Sequence, residues 1–550
     1  MNGNLLVIFS NLLIIVYAIR TIRNVFYLVF LWQLKEYRVD RMIAHLKTWQ
    51  GKKMIFGWMP GIKWLLFILC IILYFYPSAD FSFYFFMIFT FMVYYAEGIG
   101  NLLELQRRGW RKPKWTAKAI SIVATGLIFA LVIILVSRWM FAAFIIGDKL
   151  LPLIVTAMVI LLNIPISLYK KLIAWKATKK MAKLNNLTVI GITGSYGKTS
   201  TKEFLASIIS SKFNILKTEE SINTEIGVAK TVLAKLTSKH EVFIVEMGAY
   251  KRGEIAAICG IVHPKIGIIT GINQQHIGLF GSIENTMDTK FELIKSLQAD
   301  GFAIFNSANK YVQKMADRAR KERSDLSIWN YKRVNNKNLI GKNLLFVYET
   351  EVETDKLSFK LSYHGQTLAC QTKLLGAQHV DNILGAACAS LILGFPFKKL
   401  TTAISKLDSP AKTMRLVSSG TKAILVDDTY NANPDGVLAA LEYMRILKGV
   451  KILVLTPLIE LGENADNIHR ILGKKAAEIC NLILLTNLNY VNSFTAGASA
   501  VAHGKEKIQI VNSTVGQKII SQCIKKDGVV VFEGRESGRI LEKLLLSKNS

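Results

Sequence analysis

Cysteine is scarce and scattered in this 550-residue chain. Cys70, Cys259, Cys370, Cys388, Cys480 and Cys523 form no CxxC pair and no Cys/His cluster, which argues against a disulfide framework and against a zinc site. They read as free thiols in a reducing compartment. Acidic residues are also few, with 39 Asp and Glu against 69 Lys and Arg, for a formal charge of +30. The N-terminus lacks a basic n-region and a small-residue cleavage site, so no cleavable signal peptide is expected. Neither a Ser/His/Asp arrangement nor a metal-protease motif is visible. What the chain has in excess is apolar: 51% hydrophobic residues. High apolar content beside high positive charge is unusual for one soluble protein and points to a membrane.

Apolar runs near residues 5–19, 57–76, 79–96, 118–137 and 150–168 approach the ~20 residues a helix needs to cross ~30 Å of hydrocarbon. About five transmembrane helices are therefore expected over residues 1–186, with the charge-free AISIVATGLIFALVIILV as the clearest. Basic residues mark alternate loops: Arg20 to Lys53, Arg107 to Lys114, and Lys170 to Lys183. The positive-inside rule puts those segments in the cytoplasm, the N-terminus outside, and everything past about residue 169 inside. Basic residues beside spans favour the anionic inner leaflet, so the charge calls for no nucleic-acid partner. Residues 32–50, WQLKEYRVDRMIAHLKTWQ, fit either an interfacial helix or a solvated one. The spans are expected to be nearly free of ionisable groups, with Lys63, Asp80, Glu97 and Lys118 at their edges, which argues against a transporter.

The character changes after Lys183. LTVIGITG reads as a buried strand, and KTSTKEFLASIIS as a helix with Phe204, Leu205, Ile208 and Ile209 on one face. GITGSYGKTSTKE (191–203) thus sits at a strand-to-helix turn, where a phosphate loop belongs. Gly194 and Gly197 let the backbone approach phosphate oxygens, N–H groups at the helix start bind anions, Lys198 adds a positive charge, and Thr199 can hold Mg²⁺. The spacing is TGxxGKT. Farther on, VFIVEMGAYKRGEI (242–255) is a strand ending in Glu246, a carboxylate able to reach a phosphate-bound metal. IGIITGINQQHIGLFGS (266–282) is a strand and a loop bearing His276, and DTKFELI offers Lys290 at the start of a helical stretch. From Lys412 onward, AILVDD, KILVLTP, LILLT and GVVVFEG alternate with helical stretches, as a second α/β domain would.

Together and in this order, these segments resemble the Mur ligase family of ATP-dependent amide-forming enzymes, and within it the branch that adds D-alanyl-D-alanine to a muramyl tripeptide. The resemblance runs from about Leu187 to the C-terminus through SINTEIGV (221–228), LLGAQHVDNILGAACASLILG (374–394), VDDTYNANPDG (426–436) and LIELGENADNIHRILG (458–473). It implies a P-loop central domain at 187–411 and a Rossmann-like α/β domain at 412–550, behind a membrane α-helical domain at 1–186. It further implies that Gly194, Ser195, Gly197, Lys198, Thr199 and Ser200 hold ATP phosphates, and that Thr199, Glu246, His276 and Lys290 serve Mg²⁺, Lys290 as a carbamate. Asn223 would lie near metal and phosphates, and His379 and Asn382 on the nucleotide side. Arg415, Asp428, Tyr430, Asn431 and Asn433 would approach ATP from the last domain. Lys198, His276 and Lys290 are the catalytic candidates, in a reaction that activates a carboxylate as an acyl phosphate for attack by an amine. A hinge near LDSPAKTMRL (407–416) would let the domains close.

Three positions depart from the family pattern. Leu416 stands where an acid usually follows the linker arginine, LTPLIELG lacks a preceding glycine and aspartate, and Glu533 replaces a common lysine. They bear on the amine, an amino acid or a dipeptide, which stays open, as does a UDP-linked or lipid-linked muropeptide as acceptor. Soluble relatives begin with a domain that grips uridine diphosphate, and here the apolar runs stand in its place. They either present a membrane-held acceptor or only anchor the enzyme to a bacterial cytoplasmic membrane. The other readings are a ligase of this scaffold acting on a different amino-acid polymer, and a non-catalytic membrane scaffold with a nucleotide switch.

Overall fold

The structure is a computed structural model and describes residues 3–47, 49–75, 80–137, 143–220, 222–274, 277–335, 339, 341, 343–418, 423–430, 432–459, 461–523 and 528–546. It forms two compact units, Met1–Lys171 and Leu172–Ser550.

The first unit is helical, with α1 (Gly3–Leu34), α2 (Val39–Lys47), α3 (Trp49–Phe56), α4 (Trp58–Phe75), α5 (Asp80–Arg108), α6 (Ala117–Ser137) and the start of α7 (Ala143–Met181). Among the described residues, each of the five apolar runs contains helix. Among the described residues, Asn11–Leu34, Ala117–Ser137 and Ala143–Met181 are long and apolar enough to cross a membrane, while Trp58–Ile72 is apolar but shorter. Large apolar side chains face outward, among them Ile128 at 63% exposure, Leu153 at 64% and Leu168 at 62%. A water-facing surface rarely carries so many together.

Two sequence expectations are corrected here. The first apolar run does not end at residue 19: α1 continues to Leu34, so Arg20 and Arg23 lie inside a helix and not in a loop. Nor is the helical unit nearly free of interior charge. Arg20 Nε donates to Glu97 of α5 at 2.5 Å, its Nη2 donates to Asp148 of α7, and Lys63 of α4 pairs with Glu97 and lies 3.6 Å from Asp148. Charges that sit near the edges of separate runs in sequence meet once long helices pack side by side. Two cations and two anions offset one another where a lone charge is expensive.

The second unit holds two sheets. The larger contains β1 (Thr188–Thr193), β2 (Ile215–Lys217), β3 (Val242–Glu246), β4 (Ile266–Ile269), β5 (Phe302–Asn306), β6 (Ser327–Arg333), β7 (Leu344–Val352), β8 (Leu357–Tyr363) and β9 (Gln366–Thr372), in the order β2-β3-β1-β4-β5-β6-β7-β8-β9. Pairing is parallel from β2 to β7 and antiparallel from β7 to β9. The helices are α8 (Lys198–Ile209), α9 (Glu225–Lys235), α10 (Glu254–Val262), α11 (Ile277–Phe280), α12 (Ile283–Lys295), α13 (Lys310–Glu322), α14 (Gln378–Ile392) and α15 (Leu400–Ser405). Phe204, Leu205, Ile208 and Ile209 of α8 pack with Ile383 and Leu384 of α14 in one core. Val232 of α9, Ile258 of α10 and Phe291 of α12 pack in another, joined by Ile173 and Ala177 of α7. Cover on both faces explains why these strands read as continuous apolar runs with no alternation. β1 lies between β3 and β4, so the carboxyl ends of all three open on one crevice, where sheets of this kind bind ligands.

The smaller sheet contains β10 (Arg415–Val417), β11 (Ile424–Asp428), β12 (Val450–Leu455), β13 (Leu482–Leu485), β14 (Ile508–Ile510) and β15 (Gly528–Glu533), ordered β10-β11-β15-β12-β13-β14. Only β10 is antiparallel to its neighbour. Val426, Leu453 and Val531 fill one face, Leu425, Val454 and Phe532 the other. After β11 the chain enters α16 (Pro434–Ile446), capped by Asn433, whose side chain accepts from the Gly436 N–H at 3.2 Å. The ligand-binding ends of both sheets thus carry the glycine-rich and asparagine-rich turns that stand out in the sequence.

Candidate active site

The turn from β1 into α8 is shaped by glycine at two positions. Gly197 has φ +76°, a left-handed conformation, and a Cβ there would stand 2.3 Å from Asn382 Oδ1; at Gly194 it would stand 2.1 Å from Thr270 Oγ1. A side chain fits at neither. The loop is held from both sides: Ser195 N–H donates to Gly271 O at 2.7 Å and Thr270 Oγ1 to Tyr196 O at 2.5 Å. Thr201 Oγ1 donates to Asn382 Oδ1 at 3.4 Å. Ser195 and Ser200 are buried. No side chain caps α8, which leaves its first-turn N–H groups directed at the crevice, a ready anion site.

Glu246, at the carboxyl end of β3, is the centre of the polar network. Thr199 Oγ1 donates to Glu246 Oε2 at 2.9 Å, and Asn223 Nδ2 donates to Oε1 at 3.1 Å. Lys202 Nζ lies 3.4 Å from Oε2, both partners being fully buried. That ammonium supplies the countercharge an interior carboxylate needs. Lys198 folds back on its own loop, donating to Gly194 O at 2.8 Å and Ser195 O at 3.3 Å. Burial lowers its pKa, opposed by the Glu246 charge.

Lys290 sits past the middle of α12, where the sequence reading has the start of a helical stretch, and is 4% exposed. Burial lowers its pKa to about 7; the Lys198 charge adds to the shift, and Glu254 and Glu292 oppose it. A lysine so placed carries a substantial neutral-amine fraction near pH 7, the form that reacts with carbon dioxide. His276 lies outside the described residues, as does Asn431. Among the described residues, no three His, Cys, Asp or Glu groups cluster as a closed metal cage. The donor set of Thr199 hydroxyl and Glu246 carboxylate suits Mg²⁺, which binds through one or two carboxylates and keeps its remaining positions for water and phosphate.

The other expected residues are spread more widely. His379 is buried edge-on to Phe204 at 5.7 Å; neither ring nitrogen has a hydrogen-bond partner among the described residues, and burial lowers its pKa to about 4, so it is neutral. Arg415 is exposed on β10. Asp428 ends β11 in register with Glu533 of β15, and burial raises both carboxyl pKa values; Asp428 adds to the rise at Glu533, while Glu533 opposes it at Asp428. Tyr430 N–H donates to Lys412 O at 3.0 Å, holding the asparagine-rich turn against the linker. Asn433 reaches the first sheet: Asn273 Nδ2 donates to Asn433 Oδ1 at 3.4 Å and to Asp435 Oδ2 at 2.7 Å.

Three residues outside the sequence-derived set belong to this network. Lys202 was legible, since it follows Lys198 by four residues on a helix that faces Glu246. Tyr196 packs where a Cβ on Gly271 would meet its ring, and its hydroxyl accepts from Asn309 Nδ2 at 3.2 Å. Neither Tyr196 nor Asn273 follows a spacing rule that would single it out.

The sequence pattern of the Mur ligase middle domain matches residues 192–390, the stretch that runs from the phosphate loop through α14. The UDP-N-acetylmuramoyl-tripeptide--D-alanyl-D-alanine ligase of Synechocystis sp. is 32% identical over 319 residues, covering 57% of this chain and 65% of that enzyme. Residues 192–390 are thus similar to the middle domain of Mur ligases. The enzyme of the same description from Haemophilus influenzae is 28% identical over 359 residues, covering 64% of this chain and 75% of its own length. Among solved structures, MurF from Acinetobacter baumannii superposes with TM-score 0.61 at 22% identity, covering 69% of this chain and 80% of that one, which shows the Mur ligase α/β fold. MurF ligase from Thermotoga maritima in complex with ADP gives TM-score 0.59 at 22% identity, covering 69% of this chain and 85% of that one. The likeness is thus to the D-alanyl-D-alanine-adding branch. The chain spans a little under two thirds of the first two relatives' lengths, 65% and 63%.

Proposed function

We propose that this protein is a membrane-bound, ATP-dependent ligase that joins an amine, D-alanyl-D-alanine or an amino acid, to the carboxylate of a muropeptide precursor through an acyl phosphate. On this reading residues 187–411 are the central ATP-binding domain and 412–550 the C-terminal domain, both on the cytoplasmic side of a bacterial membrane that residues 1–186 enter. The observation that carries it is Glu246, bonded to Thr199 and Asn223 at the mouth of the phosphate loop, whose Lys198 lies near enough to the buried Lys290 for their charges to interact.

The chain's own groups divide the work. Loop N–H groups and Lys198 bind and orient the phosphates, Thr199 and Glu246 would hold Mg²⁺, and a carbamate on Lys290 would add negative charge beside it. The metal, when bound, neutralises phosphate charge as it moves. Lys202 sets an ammonium 3.4 Å from Glu246, and the Asn273 contact with Asp435 ties the loop after β4 to α16 at the crevice. Phosphoryl transfer is catalysed chiefly by such positioning and charge stabilisation, so no nucleophilic side chain is required.

The test is phosphate release by the detergent-purified full chain with Mg²⁺ and ATP, comparing UDP-linked and lipid-linked muramyl peptides with D-alanyl-D-alanine or single amino acids. Stimulation by an acceptor–amine pair is the expected result, and stimulation by the lipid-linked acceptor alone makes the helical unit part of the substrate site. Silence with every pair overturns the ligase reading for this substrate class.

A further inference from the structure

We propose that the helical unit holds a binding site for the phosphate group of a lipid, formed by Arg23 and Arg111 with Tyr27, Glu104 and Met54. These five residues line a cavity of about 330 Å³. Arg23 lies one turn past Arg20 on α1, Glu104 near the end of α5, Arg111 in the connection to α6, and Met54 on α3.

Charge balance decides what the cavity takes. Deeper in the unit, Arg20 and Lys63 are offset by Glu97 and Asp148, so that quartet leaves no charge for a ligand. Among the described residues, the cavity is lined by two guanidinium groups and one carboxylate. Arg23 Nη2 donates to Glu104 Oε2 at 2.8 Å, and Arg23 Cζ stands 5.4 Å from the centre of the Tyr27 ring, which fixes the plane of its fork. Arg111 is exposed and pairs with no carboxylate among the described residues. Arg23 Nη1 also donates to Asn24 Oδ1 at 3.2 Å, so the Arg111 fork is the one left for a ligand, and a planar fork backed by a net charge of +1 is the chemistry that grips a phosphate.

The surroundings select a phosphate carried on a chain. Met54 and the Tyr27 ring make part of the wall apolar, and α1 is one of the helices with membrane-span character. The connections beside the cavity are those rich in Lys and Arg, and basic pockets between spans at the cytoplasmic side are where lipid phosphates bind. This inference rests on the membrane placement proposed above and not on the ligase chemistry.

The experiment uses the full chain in detergent, without ATP or amine, and follows binding of a long-chain prenyl diphosphate, phosphatidylglycerol and inorganic diphosphate by native mass spectrometry. Arg111→Gln is the informative variant because it breaks no ion pair, and its elution as a single species confirms folding. The expected result is binding of a lipid phosphate that Arg111→Gln weakens about tenfold or more, that Arg111→Lys partly restores, and that inorganic diphosphate does not match. Preference for the prenyl diphosphate assigns a substrate carrier to the site; equal binding of phosphatidylglycerol assigns a bilayer lipid. Undiminished binding in Arg111→Gln, absence of binding, or equal affinity for inorganic diphosphate overturns the proposal. If a lipid-linked acceptor turns over with the same KM in Arg111→Gln, the substrate-carrier assignment fails while the ligase reading stands.

Discussion

Asn273 donates to Asp435 across 2.7 Å, tying the loop after β4 to the first turn of α16. It joins the two sheets at the edge of the crevice, where a closing movement would be felt first. Asn273→Ala removes a hydrogen bond to a charged group, a class of interaction contributing roughly 1.5–3 kcal/mol. The expected outcome is a fall in kcat/KM of about tenfold or more, with ATP affinity less affected, read from steady-state phosphate release and nucleotide titration.

Glu246 has two hydrogen-bond donors and one ammonium for partners. Glu246→Gln keeps the shape and deletes the charge. Magnesium-dependent turnover should drop on the order of 100-fold, the scale of losing one preorganised electrostatic contact. Turnover within a factor of two of the parent would remove Glu246 from the metal site.

Lys290 gives a pH signature with a definite sign. Its pKa is lowered in the folded chain to about 7 from 10.5, so between those values the unfolded state binds more protons and stability rises with pH. Lys290→Met should flatten that rise, seen by comparing denaturation midpoints at pH 7 and pH 9. A carbamate signal from ¹³C-bicarbonate should grow as pH rises through about 7 in the parent and be absent from Lys290→Arg.

Glu533 carries the opposite sign. Burial beside Asp428 raises its pKa, so the folded state holds protons that the unfolded state releases, and stability falls as pH rises above the ordinary carboxylate range. Glu533→Gln should melt higher than the parent at pH 8 and close to it at pH 4. Equal melting temperatures at pH 8 would mean the pair does not share a buried proton.

What could be read from the sequence was local. The phosphate loop announces itself because glycines, lysine and threonine lie within one strand-to-helix turn, and the runs around Val189, Ile244 and Ile268 show as strands because both sheet faces are covered. Arg20 was placed outside its helix because it interrupts an apolar run; its carboxylate partners, at Glu97 and Asp148, lie far along the chain. Lys290 was found through resemblance, and its unusual acidity comes from burial, which no local pattern displays. Tyr196 and Asn273 depend on how separate loops meet, so they appear only in three dimensions.

The charge quartet of the helical unit bears on how the protein is made. If α1, α4, α5 and α7 enter a bilayer, each arrives with a charge that costs about 2.5–3.5 kcal/mol in mid-membrane by insertion scales. Arg20 emerges from the ribosome long before Glu97, and longer before Asp148. The early helices must therefore wait, at the edge of the insertion machinery or at the lipid surface, until the last one arrives to neutralise them. Biogenesis of this protein becomes a single late event, and a chain cut short before Asp148 leaves a target for membrane proteases.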